Sequence, residues 1–88
     1  MALQVELVAA DRQVWAGEAS SVSARSVDGD LGILPGHTPK LVVLTEGEIR
    51  IHRTEGGVAS ATVEGGFMSV EGDRVTIVTD AVEQPSGV

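Results

Sequence analysis

The chain has no cysteine and no tyrosine, one tryptophan, one phenylalanine and three prolines in 88 residues. Without cysteine there is no disulfide framework and no thiolate metal or redox site. Two aromatic rings, Trp15 and Phe67, offer little to a pocket that stacks sugars or bases. Long apolar runs are missing as well. The longest, Leu7–Ala10 and Leu41–Leu44, cover four residues, against the ~20 that a membrane-spanning helix needs. Met1-Ala2-Leu3-Gln4 lacks the basic start of a secretory signal, so a cytoplasmic location without membrane insertion is expected. Positive charge is scarce: six bases face 13 acids, a net charge of −7. The bases Arg12, Arg25, Lys40, Arg50, Arg53 and Arg74 stand singly rather than in a stripe. That argues against nucleic acid or anionic lipid as a partner.

What is present is strand-forming. Val, Ile and Thr make up 24 of the 88 residues, and an apolar content of 42% is too high for a disordered acidic tail. Alternation is strict in Leu3-Gln4-Val5-Glu6-Leu7, Glu48-Ile49-Arg50-Ile51-His52 and Arg74-Val75-Thr76-Ile77. It assigns Leu3, Val5, Leu7, Ile49, Ile51, Val75 and Ile77 to a core. No window carries a helical stripe with caps. Turn signals recur at short intervals: Asp28-Gly29, Pro35-Gly36, Glu46-Gly47, Gly56-Gly57, Gly65-Gly66 and Gly72-Asp73. Glu46-Gly47 and Gly72-Asp73 each separate two apolar runs by two residues, the pattern of a tight hairpin. The chain therefore reads as one all-β domain, a sandwich or barrel, over residues 1–83. Residues 84–88, Gln-Pro-Ser-Gly-Val, read as a frayed tail. One domain of this length has a stability of roughly 4–13 kcal/mol.

Catalytic chemistry finds no footing. His37 and His52 lie on different elements, with no third ligand at metal spacing. Ser20, Ser21 and Ser23 sit on a strand without a nucleophile elbow. Asp28/Asp30 and Glu46/Glu48 flank glycines, which is ordinary turn chemistry, and Asp28-Gly29-Asp30 lacks the further ligands of a calcium loop. Gly65-Gly66 precedes the strand-like Phe67–Val70 rather than a helix, so it reads as a bulge or a close backbone approach, not a phosphate loop. Trp15 reads as partly buried core. No catalytic residue, metal or cofactor is expected.

The block Val27-Asp28-Gly29-Asp30-Leu31-Gly32-Ile33-Leu34-Pro35-Gly36-His37-Thr38-Pro39 resembles the G-[DE]-[LI]-G-[IV]-x-P-G-H-x-P motif of the epsilon subunit of F-type ATP synthase. Glu46–Ile51 and Gly65–Val70 with Asp73–Ile77 resemble later family blocks in order and spacing, so the likeness spans residues 3–83. It implies a flattened antiparallel β-sandwich of about ten strands in two sheets. It also implies a non-catalytic central-stalk subunit that links the gamma subunit to the c-ring. By this resemblance Asp28, Gly29, Asp30 and Leu31 meet the polar loops of the c-ring, which carry basic and amide side chains. Ala9, Ala10, His37 and Val42 meet gamma. Lys40 departs from the family's apolar residue and is expected to snorkel at an edge or meet an acid. Many family members continue into two C-terminal helices, some with a nucleotide site built on [IL]-D-x-x-R-A. No such motif occurs up to Val88, so no nucleotide is expected. The location implied is the inner face of the plasma membrane, peripherally. The competing reading is a free-standing β-sandwich ligand-binding module. A rotor wedge should expose an apolar strip on one sheet; a ligand module should carry a pocket with converging polar groups.

Overall fold

The computed structural model describes residues 2–10, 12–36, 39–80 and 82–86. Nine strands account for most of them: β1 (Leu3–Ala9), β2 (Arg12–Ser26), β3 (Gly29–Ile33), β4 (Lys40–Leu44), β5 (Gly47–Arg53), β6 (Val58–Val63), β7 (Gly66–Glu71), β8 (Arg74–Thr79) and β9 (Val82–Ser86). That is one fewer than the ten or so implied by the resemblance. Among the described residues there is no helix, and so none long and apolar enough to cross a membrane.

Period-two alternation decides which face of each strand is buried. In β1 Leu3, Val5, Leu7 and Ala9 point inward, and in β8 Val75, Ile77 and Thr79 do so. Ile49 and Ile51 of β5 are 1% and 2% exposed, as the sequence pattern requires. Val22 and Ala24 of β2, Ile33 of β3, Val42 and Leu44 of β4, and Met68 and Val70 of β7 complete most of one continuous core. Trp15 and Leu31 pack against its margin.

The long strand β2 joins the two layers. Its first half pairs with β1, its second half with β5 and β3, and Ser26 reaches Leu44 of β4. The first layer runs β1-β8-β7-β4; the second is built on β3, β2, β5, β6 and β9. A register shift between Ala19 and Ser21 marks where β2 changes layers, and there Ser20 Oγ donates to the carbonyl of His52. Most pairings are antiparallel. β1 and β8 are parallel, with Leu7 opposite Ile77.

Two turn expectations divide. Gly72-Asp73 does close a hairpin, with Glu71 opposite Arg74 and Gly72 at φ +61°. Glu46-Gly47 does not. β4 pairs with β7 while β5 pairs with β2 and β6, so residues 45–46 form a corner between layers. A two-residue hairpin needs positive φ at one or both central positions, and Gly47 has no positive φ.

Gly65-Gly66 is a close approach of backbones. Gly66 has φ +139°, and a Cβ built on it would overlap the Val78 carbonyl oxygen and stand 2.8 Å from Thr79 Cα. At the C-terminal end, β9 pairs with β6 through Val82 opposite Val63 and Ser86 opposite Ser60. Ladder bonding thus carries strand structure to residue 86, where composition alone places a tail from 84. The last two residues of that tail lie outside the described residues.

Candidate docking surfaces

The β2–β3 tip is fixed from within. Ser26, only 6% exposed, donates from Oγ to the Gly29 carbonyl at 2.8 Å and accepts the Asp28 N–H at 3.1 Å. Two backbone bonds tie the tip to the corner after β4: Val27 N–H to the Val43 carbonyl and Thr45 N–H to the Arg25 carbonyl, both 3.1 Å. Gly29 at φ +120° makes the turn. The structure therefore brings Asp28, Gly29, Asp30 and Leu31 together on one stiff projection. Asp28, Gly29 and Asp30 are exposed and Leu31 is half-buried against the core. Val27 at the apex is 64% exposed. A depression of about 330 Å³ separates the tip from β4, lined by residues 26–31 and 40–43.

The second surface is the outer face of β1-β8-β7-β4. Val43 lies opposite Phe67, Phe67 opposite Val78, and Val78 opposite Val8. Val43, Phe67 and Val78 are 48%, 53% and 44% exposed, and Leu41, two residues before Val43 on the same face, is 69% exposed. Four strands thus present one apolar band to solvent. Its lower edge turns polar through Ser69, Thr76, Glu71 and Arg74.

The residues expected to meet gamma fall on both sides of the sheet. Val42 and Ala9 are 5% and 6% exposed and belong to the core side. Their side chains cannot reach another subunit without unfolding the strand. The outward positions are their neighbours: Leu41 and Val43 beside Val42, and Val8 and Ala10 beside Ala9. A strand that is one residue out of phase presents the opposite face. His37 lies outside the described residues. Lys40 shares the inward parity of Val42 and Leu44 and faces buried Val70, yet it is exposed, because it begins β4 at the rim of the layer.

A signal for the band was present in the sequence. Leu41-Val42-Val43-Leu44 has no polar alternate, and Phe67-Met68 and Ile77-Val78 place apolar residues on both faces of β7 and β8. Strands buried on both faces read in this way, as near-continuous apolar runs.

Two pairs of oppositely charged side chains are in contact. Arg25 Nε donates to Asp30 Oδ1 at 3.2 Å, and Arg50 Nε donates to Glu48 Oε1 at 2.7 Å. His52 is exposed on β5. Among the described residues no group of three or more His, Cys, Asp or Glu side chains is placed to hold a metal ion.

Comparison with known proteins agrees with this geometry. The family model described as "ATP synthase, Delta/Epsilon chain, beta-sandwich domain" matches residues 2–85. The ATP synthase epsilon chain of Micrococcus luteus is 55% identical over 75 residues, covering 85% of this chain and 82% of that one. The epsilon chain of Frankia casuarinae is 42% identical over 83 residues, covering 94% and 98%. That of Streptomyces griseus is 49% identical over 81 residues, 92% of this chain but 65% of the longer relative. The fold recurs in the mitochondrial ATP synthase of Euglena gracilis, with a TM-score of 0.88 at 22% identity, over 96% of this chain and 53% of that one. It recurs also in the central stalk/c-ring structure of the Tetrahymena thermophila enzyme, with a TM-score of 0.79 at 19% identity, over 93% and 66%. The chain belongs to the delta/epsilon family of ATP synthase subunits, as a member of its β-sandwich domain.

Proposed function

We propose that this chain is a non-catalytic rotor subunit of a proton-translocating ATP synthase, linking the gamma subunit to the c-ring. The observation that carries the reading is the band Leu41–Val43–Phe67–Val78, apolar side chains aligned across three neighbouring strands and open to solvent. In this reading the band packs on gamma, with Val8 and Ala10 at its far side. The tip at Asp28, Gly29, Asp30 and Leu31 rests on the polar loops of the c-ring. The subunit then lies peripherally at the inner, cytoplasmic face of the membrane. Its work is mechanical. A β-sandwich with a close-packed core deforms little, which suits a wedge that holds a shaft to a ring under torque. The ligand-module reading is not favoured, since the family is that of an ATP synthase subunit and Arg25 and Arg50 are taken up by Asp30 and Glu48.

Calorimetric titration of the chain into its cognate gamma subunit tests this. One-to-one binding is expected, and Phe67→Asp should weaken it by about 30-fold or more, as for a central apolar anchor. Val58→Asp is the control, because Val58 is 42% exposed on the other layer. Equal loss from both substitutions, or no binding to gamma with the c-ring present, would overturn the assignment.

A further inference from the structure

Asp30 is not presented alone at the tip. Arg25 stands directly opposite it in the β2–β3 register and holds its Oδ1 through Nε. The stem of Arg25 passes close to Gly47 at the start of β5. A Cβ at Gly47 would stand 3.3 Å from Arg25 Cβ and 3.5 Å from its Cδ. Gly47 has no positive φ that calls for glycine. What its missing side chain supplies is room for the arginine stem.

The pair is 60% and 79% exposed. An ion pair so open to water adds little to folding, so its effect is to be sought in what it holds out to a partner. Among the described residues only Oδ1 of Asp30 is engaged, which leaves Oδ2 for a second donor. Arg25, Asp28 and Asp30 together sum to one negative charge, +1 against −2. A basic group approaching the tip therefore meets net attraction and a carboxylate biased toward one orientation by its arginine partner.

We propose that Arg25, seated on Gly47, is a positioning residue that fixes the Asp30 carboxylate for a basic side chain on the loop that receives the tip. This rests on the reading that the tip meets the c-ring. Holding a side chain in its bound rotamer removes the ordering cost from the docking step. It also favours one registry over its neighbours, because a misplaced loop meets the arginine instead.

The test uses the full chain and its cognate gamma subunit and c-ring. Incorporation into the complex is measured in competition with tagged wild-type chain by native electrophoresis. Melting of each free variant is followed by circular dichroism. Arg25→Gln is expected to compete about 2-fold less well, the low end of the cost of immobilising one side chain, since the aspartate that is freed is short, with an unchanged melting temperature. Asp30→Asn should lose at least as much. The exchanged variant Arg25→Asp with Asp30→Arg keeps an ion pair but reverses what it presents, and it should stay as weak as Asp30→Asn. Gly47→Ala, which crowds the stem at 3.3 Å and leaves the charges, should show a smaller loss in the same direction; it also serves if Arg25→Gln does not fold. Recovery of wild-type incorporation by the exchanged pair would reduce Arg25 to a fold staple and overturn the proposal. Loss with Asp30→Asn but none with Arg25→Gln or Gly47→Ala would overturn it while leaving the tip on the ring. No loss with any variant would remove the tip from the ring and the proposal with it.

Discussion

Replacing Gly66 with alanine separates two costs that usually come together. Gly66 has φ +139°, where an L-residue is strained, and such strain costs about 1–3 kcal/mol. The new Cβ would also overlap the Val78 carbonyl oxygen and lie 2.8 Å from Thr79 Cα. Both are backbone atoms of β8, which is held by β7 on one side and β1 on the other, so neither can swing aside. Forcing that overlap adds about 1–3 kcal/mol more. The sum, about 2–6 kcal/mol, is a large part of the stability of roughly 4–13 kcal/mol expected for a domain of this length. At about 4–8 °C per kcal/mol, the melting temperature should fall by at least roughly 8 °C. Gly29→Ala is the matched reference. Its φ of +120° carries similar strain, but nothing lies within 4 Å of the added Cβ. Urea denaturation of both variants, followed by circular dichroism, should show Gly66→Ala losing about twice as much as Gly29→Ala. Equal losses would mean that β8 yields to the new methyl group. A Gly66→Ala protein as stable as wild type would refute the close approach altogether.

Ile49→Asp should leave the chain unfolded, because it places a carboxylate at a position 1% exposed in the core; a dispersed amide NMR spectrum of that variant would contradict the inward assignment of β5. Ser26→Ala should cost about 1–2 kcal/mol by removing the buried hydroxyl that serves both the Asp28 N–H and the Gly29 carbonyl. Its chemical denaturation curve should shift without change of slope. Asp30→Lys should cost the free chain no more than about 1 kcal/mol, the scale of an exposed cross-strand charge pair with Arg25, yet lower the assembled fraction on native electrophoresis. An unchanged assembled fraction would take Asp30 out of the interface.

Much of the architecture was legible because period two is a local property. Leu3, Val5 and Leu7, or Val75 and Ile77, declare their buried face within five residues, and neighbouring strands need not be known. Gly65-Gly66 and Gly72-Asp73 were legible for the same reason, since a glycine pair or a Gly-Asp pair reports on its own backbone. What failed was non-local. Glu46-Gly47 has the composition of a hairpin, but Gly47 answers to Arg25, a residue 22 positions earlier. The resemblance assigns Val42 to the gamma contact, and a run of four apolar residues leaves the phase of the strand undetermined; its 5% exposure and its register with Met68 turn it inward. Pairing of Val82–Ser86 with β6 depends on an edge about twenty residues away and leaves no trace in the composition of the segment. The tip is legible as a motif, but its internal hydrogen bonds through Ser26 are not, because nothing local in the sequence sets a capping serine apart from a strand serine.

The parallel pairing of β1 with β8 has a consequence for the order in which the molecule is made. β1 is made well before β8, and it has only β2 for company until the residues up to Thr79 have left the ribosome. Bringing the ends of that stretch together costs about 4 kcal/mol of chain entropy. It is recovered only when Leu3, Val5 and Leu7 meet Val75 and Ile77 in the core. Until then the nascent chain carries an open β1 edge, and the fold closes slowly, as long-range pairing does. Until β8 arrives, that edge is an unpaired strand open to other chains, the kind of transient surface on which misassembly starts.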